Sequence, residues 1–297
     1  YAGGIAGEVT SGTGFESVGN VVYDGTGSSW LIKSEAAGRN IFAGYVAGMA
    51  TSAYIEDFTV NVTNSVMDLM NSASSGDSQL ACGNLFGYYS ASSASLINDV
   101  NIIGSNGQIL RTVCNFGDTF VGGLIGYADT SSASLTIGKT NFKVLGTKST
   151  YLASTEGASS QANAYSGGIC AYVKGSNLKT TNDFKFRKLS ILIDDTSIVK
   201  FDYLFEGKYE FKSLNNGKVS GSSHGKVMSG GLIGYGYIDI CGTSEKPTDL
   251  VLASPTSELL IEATQSASTS GGTDDTDNTN KDRTVAGSIY GDYSSNN

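Results

Sequence analysis

The chain has 297 residues and a formal net charge of −9, with 16% charged residues, 39 glycines and two prolines. An acidic, charge-poor surface argues against wrapping nucleic acid or lying on an anionic membrane. Glycine without a three-residue period excludes collagen, and 39% apolar content excludes plain disorder.

From its first residue the chain repeats one eight-residue phrase. It reads "YAGGIAGE" (1–8), "FAGYVAGM" (42–49), "ACGNLFGY" (81–88), "FVGGLIGY" (120–127), "YSGGICAY" (165–172), "MSGGLIGY" (228–235) and "VAGSIYGD" (285–292). The third position is always glycine: Gly3, Gly44, Gly83, Gly122, Gly167, Gly230 and Gly287. The fifth is always aliphatic: Ile5, Val46, Leu85, Leu124, Ile169, Leu232 and Ile289. The seventh is glycine except at Ala171. Successive third positions are 41, 39, 39, 45, 63 and 57 residues apart, so a unit near 40 residues recurs and two later units carry insertions.

The phrase, best seen in "GGLIGY" at 122–127 and 230–235, resembles the GLUG motif of large surface and secreted proteins. Tyr45, Asn84, Phe86 and Tyr290 depart from it. The resemblance covers seven short windows. It implies an extracellular, multi-repeat β architecture and no catalytic residue.

Between phrases come strand-like runs: "AYIEDFTVNV" (53–62), "VMDLM" (66–70), "SLINDVNIIG" (95–104), "QILRTVCNF" (108–116), "SLTIGKTNFKVLG" (134–146) and "TYLAST" (150–155). Three strands per unit, joined by Ser/Gly/Asn loops, predict one turn of a β-solenoid. The expected fold is all-β: a single β-helix over 1–297 of about seven turns, starting near 1, 42, 81, 120, 165, 228 and 285. A β-sandwich or propeller is the alternative. Read as a strand, each phrase puts positions 1 and 5 on one face, so both columns are expected to stack inward.

Two insertions are expected, near 184–222 and 266–283. In the first, "IVKFDYLFEGKYEFKSL" (198–214) reads as a hairpin turning at Glu206-Gly207. Residues 174–226 hold ten Lys/Arg against six Asp/Glu, which suggests a basic patch facing an acidic neighbour such as another copy of the chain; the alternative is ordinary charge alternation on a solvated hairpin. The second insertion contains "STSGGTDDTDNTNKDR" (268–283), which reads as a mobile acidic loop. Its Asp274, Asp275, Asp277 and Asp282 form a weak calcium candidate without the glycine and closing Glu of an EF-hand.

Cys82, Cys114, Cys170 and Cys241 form an even set without CxxC spacing. At least one disulfide is expected, the alternative being four buried thiols. A lone histidine, His224, argues against zinc and against a catalytic dyad. Asp194 and Asp195 are adjacent on a strand-like run and so point to opposite faces. Tyr88, Tyr127, Tyr172 and Tyr235 share position 8 and predict an outer aromatic ladder that contacts sugars or a partner chain, or simply stabilises the sheet. Trp30 is a further aromatic candidate, and "NVT" at 61–63 marks Asn61 as a glycan acceptor in a secreted chain.

The chain lacks a signal peptide and does not begin with Met, which suggests a processed chain or a fragment. With no capping element visible at either end, the expected role is an extracellular or cell-surface structural subunit built by end-to-end strand stacking. A glycan-binding stalk or adhesin is second and a polysaccharide-active enzyme third. The expected partners are other copies of the chain and glycans. No cofactor, nucleic acid or membrane span is expected.

Overall fold

The computed structural model describes residues 1–10, 15–156, 162–180, 191–194, 197–199, 204–216, 225–238, 256–265, 284–287 and 290–293. They form a stack of mostly parallel strands, with no helix among the described residues. Each phrase supplies two strands, not one. The first strands, from Ala2–Gly3 and Ile41–Gly44 through Ser78–Gly83, Gly117–Gly122, Ala164–Gly167 and Val227–Gly230 to Thr284–Gly287, make one seven-stranded sheet. The second strands, from Ala6–Val9 and Ala47–Thr51 through Phe86–Ser90, Ile125–Asp129, Cys170–Lys174 and Ile233–Gly236 to Tyr290–Tyr293, make another. A third, larger sheet closes the coil with the runs between phrases. This is the β-solenoid the repeat predicts.

Parallel pairing holds identical positions in register from turn to turn. Gly3, Gly44, Gly83, Gly122, Gly167, Gly230 and Gly287 form one unbroken column. At ~4.8 Å per turn the seven phrases span about 30 Å of axis. Strands form over Ala53–Asn61, Ser95–Gly104 and Ile109–Cys114, where apolar, often β-branched residues are interleaved with polar ones, and over the short apolar run Val66–Asn71. The two runs at 134–155 differ from expectation, since Leu135–Ile137 is followed by one long strand, Thr140–Thr155.

The phrase is a corner, which corrects its reading as a single strand. Positions 4 and 5 bend between the two strands, so the alternation of faces restarts there. Position 5 turns inward: Val46, Leu85, Leu124, Ile169 and Leu232 are fully buried in the main core. Their amides continue the ladder through the bend, as in Leu85 N to Leu124 O at 2.9 Å and Leu124 N to Ile169 O at 3.0 Å. Position 1 faces the other way. Phe42, Ala81, Phe120, Tyr165 and Met228 form a separate small cluster with Ala171 and the position-8 side chains. Ile5 also departs from the inward expectation. It is 50% exposed, because the first described turn has a neighbour on one side only.

Glycine at positions 3 and 7 permits this geometry. A Cβ on Gly83 would lie 2.6 Å from the Phe86 carbonyl oxygen, and one on Gly126 would lie 2.8 Å from the Cys82 nitrogen. At Gly83 the two strands of a phrase, and at Gly126 two neighbouring turns, meet backbone to backbone, closer than a Cβ at those positions allows.

The expected hairpin at Glu206-Gly207 is absent. Phe205–Asn215 is one continuous strand, parallel to Thr140–Thr155 on one side and to Glu258–Gln265 on the other. Gly207, at φ +129°, instead sits where the register against Thr140–Thr155 shifts. An antiparallel pair does occur in the insertion, between Ile191–Asp194 and Ser197–Val199. The segment 266–283 with Asp274, Asp275, Asp277 and Asp282 lies outside the described residues, as do Asp195, His224, Cys241 and Ile289.

Candidate functional site

The position-8 tyrosines are brought together as expected. Tyr88 pairs in register with Tyr127, Tyr127 with Tyr172, and Tyr172 with Tyr235. Their ring centroids are 5.0, 4.9 and 5.4 Å apart, with planes 22–26° from parallel. The column continues beyond them. Phe42 stacks on Tyr88 at 5.1 Å, and Tyr1 stacks on Phe42 at 5.6 Å. At the other end the Lys226 ammonium lies 4.6 Å from the Tyr235 centroid, a cation–π contact. Phe120 packs edge-on to Tyr127 at 5.2 Å. Six rings thus form one seam along the solenoid, which repeat spacing reveals only in part.

The four position-8 tyrosines are half-buried, Phe42 is buried and Tyr1 is exposed at the rim. Burial, followed by the charges of neighbouring tyrosines, raises the Tyr127 phenol above its ordinary value, and burial raises Tyr88 and Tyr172 in the same direction. The phenols are therefore neutral hydrogen-bonding groups at physiological pH. Each inner ring uses both faces on its stacked neighbours and turns its edge outward. A pyranose that packs by its C–H face finds no free face on Tyr88, Tyr127 or Tyr172, so the geometry of these inner rings favours sheet stabilisation. Trp30 is likewise engaged, edge-on to buried Tyr45 at 5.2 Å.

The cysteine expectation is corrected. Cys82, Cys114 and Cys170 are buried free thiols. Each sits on a strand facing apolar neighbours, and burial pushes the Cys114 thiol up to about 11 and Cys82 and Cys170 higher still. Asn61 closes the strand Ala53–Asn61, and its Oδ1 accepts from the Thr63 amide at 3.2 Å and the Thr63 hydroxyl at 2.8 Å. The sequon is thus folded back on itself within the second turn.

Among the described residues of the basic segment, three lysines have acidic partners within the chain. Lys174 pairs with Asp129 at 2.9 Å and Lys208 with Glu258 at 2.8 Å. Lys212 bridges Glu210 at 2.7 Å and Glu262 at 3.1 Å. Stacking sets opposite charges on adjacent turns, the sheet version of a charge ladder.

Both rims of the described stack are open. Ala2–Gly3, Ala6–Val9 and Ser29–Ser34 each pair on one side only, as do Thr284–Gly287, Tyr290–Tyr293 and Glu258–Gln265 at the other rim. Of ten exposed large apolar residues among those described, six belong to the first turn: Tyr1, Ile5, Val18, Val21, Val22 and Leu31. Neither protein-family models, nor curated proteins, nor solved structures yield a match to this chain.

Proposed function

We propose that the chain is a structural repeat body of an extracellular fibre or cell-surface assembly, lengthened by strand-on-strand stacking at its rims. The supporting observation is the pairing of unpaired parallel strand edges with apolar side chains gathered on the same rim. Such an edge offers backbone donors and acceptors in a fixed row and is a template for another parallel turn. The next turn comes from a second copy or from further repeats of a longer chain; the chemistry of the contact is the same. The resemblance of the phrase to GLUG repeats supports the extracellular setting.

Negative-stain microscopy and sedimentation of the 297-residue chain test this reading. Filaments or end-to-end oligomers one solenoid wide are expected, and an Ile5→Lys, Leu31→Lys double variant is expected to shorten or abolish them. Monodisperse single rods at high protein concentration, unchanged by the double variant, would overturn it.

A further inference from the structure

Two residues before the second to sixth phrases runs a second column, Asn40, Gln79, Asp118, Asn163 and Lys226. Gln79 and Asp118 are directly paired in register. The side chains are locked by the backbone of the following turn. The Gln79 amide donates to Asn40 Oδ1 at 3.0 Å, and the Lys226 amide donates to Asn163 Oδ1 at 2.8 Å. Asn163 donates twice to Asp118 Oδ1, from its backbone nitrogen and from Nδ2, both at 2.8 Å.

This column floors a groove of about 390 Å³ that crosses four turns, with Asp77 on its border. That volume lies within the range of small-molecule sites. Gly117 lines the groove and lets two turns approach closely. It adopts φ +131°, and a Cβ there would run into the Ser78 backbone. Three groups keep unused hydrogen-bonding capacity among the described residues: the Asn40 Nδ2 donors, the Gln79 carboxamide and Asp118 Oδ2. They are spaced along the axis at the ~4.8 Å strand repeat, close to the rise of one sugar residue in an extended β-linked glycan.

We propose that this groove binds an extended neutral or amino-bearing oligosaccharide along the solenoid axis, through hydrogen bonds to Asn40, Gln79 and Asp118. Fixed carboxamides are matched to pairs of hydroxyl groups, donating to one oxygen and accepting from the next, and the Asp118 carboxylate accepts from a hydroxyl or an ammonium group. Charge selects among glycans. Asp77 and Asp118 repel uronates and sulfates and favour ammonium groups, while the cation at the end of the column, Lys226, is held against Tyr235. The binding uses hydrogen bonds in a concave site and does not require the covered faces of the tyrosine seam.

Isothermal titration with cellohexaose, chitohexaose, fully deacetylated chitosan hexamer and hexagalacturonate tests the proposal. Saturable binding of at least one of the first three is expected, with hexagalacturonate silent. An Asn40→Ala, Gln79→Ala double variant, which removes only exposed or half-exposed side chains, is expected to weaken binding at least tenfold with an unchanged circular-dichroism spectrum. Asp118→Asn is expected to weaken the chitosan hexamer more than cellohexaose. Lys139→Ala, on the larger sheet, is expected to leave binding unchanged. No saturable binding of the three, preference for hexagalacturonate, or binding indifferent to the double variant would each overturn it.

Discussion

Phe42 stacks face to face on Tyr88, 5.1 Å apart and 18° from parallel, although the two hold different positions in their repeats. Position-1 and position-8 rings also meet in later turns, at Phe120–Tyr127, Phe120–Tyr172, Tyr165–Tyr172 and Tyr165–Tyr235. What sets Phe42 apart is that it stacks in line with the position-8 tyrosines, and the two ladders become one seam.

Tyr127 sits inside that seam, between Tyr88 and Tyr172 and against Phe120. Truncation to alanine removes ring contacts on three sides, and Tyr127→Ala is expected to cost about 2–4 kcal/mol of stability. Tyr127→Phe keeps the ring and is expected to stay within about 1 kcal/mol of the parent. Urea denaturation followed by far-ultraviolet circular dichroism measures both. Equal losses for the two variants would place the stabilisation in the hydroxyl instead of the stack.

Gly126 and Ala171 occupy the same phrase position in neighbouring turns, yet they are not interchangeable. A Cβ at 126 would press on the backbone of Cys82, which has no free direction to move. Gly126→Ala is expected to destabilise by more than about 3 kcal/mol, since backbone must shift. Ala171→Gly only loses a methyl group and adds chain entropy, a cost of about 1–2 kcal/mol. The ranking of the two thermal midpoints checks the backbone contact.

Leu124 and Ile5 share position 5 but not environment. Leu124 is fully buried, so Leu124→Asp strands a charge in the core and is expected to abolish cooperative folding. Ile5→Asp, at a half-exposed rim, is expected to fold normally. Soluble, cooperatively melting Leu124→Asp protein would count against the core assignment.

Glu210 sets an acid limit on stability. Burial pushes its pKa up, but hydrogen bonds from Lys148 and Lys212 outweigh that and hold it below the ordinary 4.5. A depressed carboxyl pKa stabilises the fold above the unfolded value, and that contribution is lost as pH falls through the folded value. The parent is therefore expected to lose more stability than Glu210→Gln between about pH 5 and pH 3. Parallel melting curves across that window, with identical slopes for the two proteins, would exclude the ion pair as the cause.

The three buried thiols should be inert in the native state. At neutral to mildly alkaline pH the thiolate fraction of Cys82, Cys114 and Cys170 is suppressed by burial, and access is closed. Iodoacetamide labelling with peptide mapping is expected to leave all three unmodified until denaturant is added. Rapid native labelling of Cys82 would show an opening of the first sheet.

Much of this architecture is legible in the sequence. The fifth-position column and the tyrosine register follow from repetition alone, because parallel stacking of equal units brings equal positions together. Ser95–Gly104 emerges from interleaved apolar and polar residues, and Val66–Asn71 from a short apolar run. The bend inside the phrase is hidden, since glycines at positions 3 and 7 are compatible with a strand passing close to a neighbour as well as with two strands folded together. Only the contact of backbone on backbone decides between them. Glu206-Gly207 misleads for a related reason: a glycine with positive φ marks a change of register as readily as a reversal of the chain. The groove floored by Asn40, Gln79, Asp118 and Asn163 has no shared residue type, so repetition does not advertise it; it becomes visible once the turns are aligned by hydrogen bonds.

The hydrogen bonds between turns run along the axis of the coil. A force pulling the two rims apart therefore loads every bond between one turn and the next at the same moment, all around the perimeter. Separation has to break a full ring at once, while a force applied across the coil can peel one strand edge residue by residue. The chain is strongest as a cable under tension and weakest under sideways shear.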